Sequence, residues 1–175
     1  PLVYPTTSEG ALLWMEKTIK EPTIPELQAL MASGSITSQQ LTAKYLARIA
    51  QLNPLLHAVI ETNPDALSIA AQLDQERKHG RLRGPLHGIP VLVKDNIATD
   101  DKMETTAGSL ALVGSEVPAD SVIVAQALAP GPVILRKAKP PEWAIFPGTP
   151  PFHAVIRHGR FTRDPARLRF LALAS

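Results

Sequence analysis

The sequence predicts an α/β layered domain. Three observations carry this expectation: two successive segments with helix-start signatures, short β-rich runs alternating with helical ones, and an apolar run from Ile89 to Val93 that reads as a strand covered on both faces. Thr23, followed by Pro25 and then Glu26 three residues on, has the form of a capped helix start, with Leu27, Leu30 and Met31 as its apolar face and Gly34 as its stop. Thr37 and Gln40 repeat the capping pattern. Leu41, Tyr45, Ile49 and Leu52 then follow at helical spacing, and Asn53-Pro54 is expected to end that helix. Leu56 to Thr62 reads as a short strand, and Asn63 to Gly80 as an Asn-capped, Pro-led helix with a glycine stop. "GPLHGIPVLVKDN", Gly84 to Asn96, supplies the expected central strand, ending on Lys94.

Composition narrows the function classes. The chain has 175 residues, 45% of them hydrophobic, enough for one domain with a core. A net charge of +2 argues against a general nucleic-acid or membrane surface, and no apolar run approaches the length needed to span a bilayer. Without cysteine there is no disulfide, thiolate metal site or Cys nucleophile. The compartment stays open, with the cytoplasm the preferred reading. No metal and no cofactor are expected: His153 and His158 are five apart with no third ligand in view, His57 reads as a strand residue, His79 as part of a basic last helical turn and His87 as a turn residue. "GRLRG", Gly80 to Gly84, lacks the spacing of a phosphate-binding loop and reads as a solvated turn. No GxSxG elbow supports a Ser–His–Asp triad.

Lys94 admits two readings. A strand can end on a lysine that reaches solvent. Alternatively, functional groups collect at the carboxyl ends of strands in open α/β sheets, and a lysine held there in apolar surroundings loses its proton more readily and can act as a base. Asp95 could pair with it or point away.

"GPLHGIPVLVKDNI", followed by "TTAGSLAL" at Thr105 to Leu112 and by "ADSVIVAQALAPGPVILRKAKPPEWAIF", resembles the amidase signature family, most closely its peptide-amidase-like branch, in which a "VILGKANLS"-type strand leads into "EWA". The resemblance runs from about Glu26 to Phe146. It implies the N-terminal part of the amidase-signature fold, a mixed β-sheet flanked by helices. It also implies hydrolysis of carboxamide C–N bonds through a Ser–cisSer–Lys triad, with Lys94 at the general-base position. Such chemistry needs a base because an amide carbonyl resists attack unless the serine hydroxyl loses its proton as it attacks. Thr106, Gly108 and Ser109 are expected beside the substrate site, with no triad role for Ser109. The implied substrate is a small-molecule or peptide amide.

The chain departs from the family pattern towards its end. The family's Gly/Ser-rich segment, which carries both serines, has no counterpart here, and Ser175 follows Ala172, Leu173 and Ala174 in place of glycines. Eight of the 17 prolines lie after residue 128, a density expected to break regular structure. Beyond Phe152, Arg157, Arg160, Arg163, Arg167 and Arg169 face Asp164 alone. That tail reads as a diverged family stretch, a shifted reading frame or a basic binding arm, and scattered family letters such as "TRDP" favour the first two. The expected organisation is an N-terminal extension at 1–22, an amidase-signature region at 23–146 and a Pro/Arg-rich tail at 147–175. The chain is expected to be an incomplete N-terminal portion of a hydrolase, inactive alone and able to self-associate through an exposed sheet edge. The rival is a non-catalytic amidase-like scaffold or interaction protein with a basic tail.

Overall fold

The computed structural model describes residues 22–138, so residues 1–21 of the extension, 139–146 of the amidase-signature region and the whole Pro/Arg-rich tail, with His153, His158 and Ser175, lie outside the described residues. Helix α1 (Ile24–Ala32) leads into α2 (Ser38–Leu56), β1 (Val59–Thr62), α3 (Ala66–Lys78), β2 (Pro90–Lys94), a single 3-10 turn at Leu110–Leu112, α4 (Val122–Leu128) and β3 (Val133–Ala138). Both capping boxes form: Thr23 and Glu26 bond reciprocally, as do Thr37 and Gln40. Leu27 and Met31 are buried as the spacing requires, whereas Leu30 stays largely exposed.

Helix α2 runs past the expected stop and contains Pro54. Pro54 has no N–H to give to the helix ladder, yet the chain turns only at His57, whose φ of 51° is left-handed. The Asn53 side chain fixes this exit by bonding both the N–H and the C=O of Val59, at 2.9 and 3.0 Å. His57 is therefore a helix cap and not a strand residue. Before α3, Asn63 acts through its side-chain oxygen, which accepts from Asp65 N at 2.9 Å and turns the chain into the helix.

The sheet is mixed, in the order β1-β3-β2, with β1 antiparallel and β2 parallel to β3. This corrects the expectation of a central strand at Ile89 to Val93. Among the described residues β2 lies at the sheet edge, and Leu92 is 50% exposed. The strand flanked on both sides is β3, and its run Val133 to Leu135 is buried throughout. Pro130 and Pro132 do not break it, because they sit in the preceding turn around Gly131, whose φ is 79°.

One sheet face packs Val133 and Leu135 against Ile49 of α2 and Ala66, Ala70 and Leu73 of α3. The opposite face packs Ile134 with Met103 and Val124, and Val91 and Val93 join them. A third cluster, Leu27, Met31, Leu41 and Ile89, seats α1 and the start of α2 on the entrance to β2. There the turn is held by its backbone: Gln28 donates to the carbonyls of Pro85 and His87, and Arg77 donates to His87 O. "GRLRG" is a solvated turn in which Arg83 pairs with Glu76. No described helix is long and apolar enough to cross a membrane.

Candidate active site

Parallel pairing with β3 carries β2 to Lys94, which stands opposite Ala138. Lys94 is half-buried, and its carbonyl accepts from Ile97 N at 2.9 Å, so the chain turns immediately after it. The next residue, Asp95, is 1% exposed. Its N–H donates to Ala138 O at 2.9 Å, which continues the ladder one step and swings its carboxylate into the protein.

That carboxylate organises the neighbouring loop. Asp95 Oδ2 accepts from Thr106 Oγ1 at 2.6 Å and from Gly108 N at 3.1 Å. Ala107 and Gly108 both have positive φ, 50° and 74°, and Ser109 N donates to Thr106 O at 2.9 Å, closing a tight turn of the primed type. Ala107 tolerates this costly conformation because the charge-assisted bonds on either side hold it. Asp95 Oδ1 is equally buried and has no partner among the described residues, which leaves an open acceptor beside the turn.

Two further residues pin the loop. Lys137, fully buried on β3, donates to Ile97 O at 2.7 Å and to Thr105 Oγ1 at 3.1 Å. Burial pushes its ammonium below the usual lysine value, against the opposing pull of Asp101, Asp95, Glu61 and Asp120. Glu61 of β1 accepts from Glu104 N at 2.8 Å. Each of the three strands thus grips the segment 97–108 that lies over the end of β2.

The expected site residues therefore meet in part. Thr106, Gly108 and Ser109 form one buried turn, and that turn is bonded to the residue directly after Lys94. Sequence reasoning missed Asp95 as the organiser and Lys137 as the buried tie. The available signal was a second charge, Lys137, inside the β3 run "VILRKA". Among the described residues no cluster of His, Asp or Glu could hold a metal ion.

The family model described as Amidase matches residues 40–166. A Schizosaccharomyces pombe protein described as an amidase is 47% identical over 146 residues, covering 81% of this chain and 25% of its own length. An Arabidopsis thaliana protein described as an amidase is 50% identical over 131 residues, 74% of this chain and 26% of its own length. Among solved structures, native peptide amidase from Stenotrophomonas maltophilia superimposes with a TM-score of 0.76 at 47% identity, over 85% of this chain and 31% of that one. The chain spans about a quarter of the length of these curated relatives.

Proposed function

The chain belongs to the amidase family, and from that premise we propose that residues 22–138 form the lysine-bearing part of an amide hydrolase, with Lys94 as its general base. The observation that carries this reading is the buried Asp95 clamp, which fixes the Thr106–Ser109 turn against the strand end from which Lys94 projects. A base must be held in place relative to the bond it serves, and a loop gripped by all three strands provides such a mount. Thr106, Gly108 and Ser109 border the substrate, a small-molecule or peptide amide. The nucleophile and its relay serine are assigned to the family's Gly/Ser-rich segment, which has no counterpart among these 175 residues.

The test is a chimera in which residues 22–138 replace the matching segment of the Stenotrophomonas maltophilia peptide amidase. It is expected to release ammonia from peptide amides, and Lys94→Ala within it to lower kcat by about 10³-fold or more. An active chimera indifferent to Lys94→Ala would refute the general-base role. Turnover by these 175 residues alone, lost on Lys94→Ala, would refute the assignment of the nucleophile to that segment.

A second reading concerns association. Leu92 is half-exposed on a strand whose outer edge is unpaired among the described residues, which supports pairing of this edge with a second copy.

A further inference from the structure

Helix α2 and the sheet do not close completely on each other. Between them lies a cleft of about 300 Å³, with Leu52, Leu56 and Leu92 as apolar wall and with Tyr45, Arg48 and Arg136 contributing polar groups. None of the described residues lining it is acidic. Arg136 reaches this face through an irregularity in β3. The register passes from Val91 opposite Ile134 to Leu92 opposite Arg136, so Leu135 and Arg136 both line the cleft.

The surroundings of Arg136 are unbalanced. Its Nε is buried and has no partner among the described residues. Burial pushes the guanidinium below arginine's usual value, with no carboxylate acting in the opposite sense. Arginine nevertheless keeps its charge in a protein. A partly desolvated cation therefore keeps one buried donor unspent, which an anion in the cleft would satisfy.

We propose that the cleft binds a small organic carboxylate. Its carboxylate sits on the Arg136 guanidinium with Arg48 beside it, and its hydrocarbon part lies against Leu52, Leu56 and Leu92. The planar fork of arginine matches two carboxylate oxygens, and the leucines favour a ligand with an apolar body over a fully hydrated anion such as phosphate. Lys94, Thr106, Gly108 and Ser109 take no part in this wall.

The test titrates hexanoate, hexan-1-ol and inorganic phosphate separately into the 175-residue chain, followed by calorimetry and by NMR of the arginine Nε–H groups. Hexanoate is expected to bind saturably at one site and to shift one Nε–H resonance, the one missing from the spectrum of Arg136→Met. Hexan-1-ol and phosphate are each expected to bind at least about tenfold more weakly. Arg136→Met, which keeps the apolar stem, should weaken hexanoate by about tenfold or more, and Leu92→Asp, which supplies a carboxylate to the same wall, should do so with both arginines intact. Phosphate as tight as hexanoate would mean a bare anion site, and hexan-1-ol as tight would mean a purely apolar one; either result overturns the assignment. So does a wild-type chain that shows no saturable hexanoate binding, a measurement independent of how the variants fold.

Discussion

Asp95 and Lys137 bring buried charge into a small domain, and each is tolerated for a different reason. Asp95 is offset by donors: Thr106 Oγ1 and Gly108 N both point at Oδ2. Thr106→Val removes the shorter of these bonds and leaves a carboxylate under-satisfied, at an expected cost of about 2 kcal/mol; Asp95→Ala, which leaves both donors without their acceptor, should cost at least as much. The double variant should lose clearly less than the sum, because both changes break the same interaction, and urea denaturation of the four proteins measures this. Additive losses would mean that the bond contributes nothing. Lys137 is offset less completely, since burial outweighs the surrounding carboxylates and lowers its pKa from the ordinary 10.5. Between that lowered value and 10.5, the unfolded chain still holds a proton that the folded chain has released. This lysine's contribution to stability therefore rises with pH in that window, by at most about 1.4 kcal/mol per pH unit, and is flat below it. Denaturation midpoints followed through the alkaline range should show this slope in the wild type and lose it in Lys137→Met. Identical pH profiles would put the lysine in solvent.

At the level of elements, local chemistry sets where helices begin, and close approach sets how they dock. Gly88 enters β2 with φ of 76°, and a Cβ placed there would lie 2.9 Å from Ser38 Cβ at the start of α2. The two elements meet this closely because Ser38 Oγ donates to Gly88 O at 2.7 Å. Asp74 of α3 completes the joint by accepting from the N–H groups of Ser38 and Gln39, at 2.8 and 2.9 Å. Gly88→Ala combines a left-handed backbone with a clash against a packed helix terminus, so it is expected to destabilise by about 2 kcal/mol or more. Gly34 has similar φ but open space around it, so Gly34→Ala carries only the backbone term, about 1 kcal/mol. Thermal denaturation of the two variants compares them; equal losses would mean that the Ser38 contact gives way freely.

For the whole molecule, the decisive feature is the unpaired outer edge of β2 among the described residues. Leu92 there is half-exposed, and Val122 and Ile123 at the start of α4 are 73% and 68% exposed. Such apolar surface, on a chain that spans about a quarter of its relatives' length, favours contact with another surface. Sedimentation velocity is expected to show concentration-dependent association of the 175-residue chain, and Leu92→Lys, which puts a charge on the edge strand, should shift it towards monomer. A single monomeric species at high concentration, with or without the substitution, would rule out edge pairing.

Local features are legible in the amino-acid sequence. Thr23 with Glu26 and Thr37 with Gln40 announce their helices because a cap and its partner are three residues apart, and the "GPLHGIPVLVKDN" motif locates Lys94 at a strand end. The α/β class was legible for the same reason, since periodicity is a property of neighbours in sequence. Tertiary structure alone decided which strand is central, because strand order depends on where β3 inserts, and nothing within Ile89 to Val93 records that. It also decided what the charges do. Asp95 finds Thr106 eleven residues away and Lys137 finds Ile97 forty residues away, so neither partnership exists until the sheet brings the segments together. Pro54 marks the limit of local reading: a proline predicts a stop, yet the last turn of α2 forms around it because packing on the sheet and the Asn53 bonds to Val59 outweigh one missing hydrogen bond.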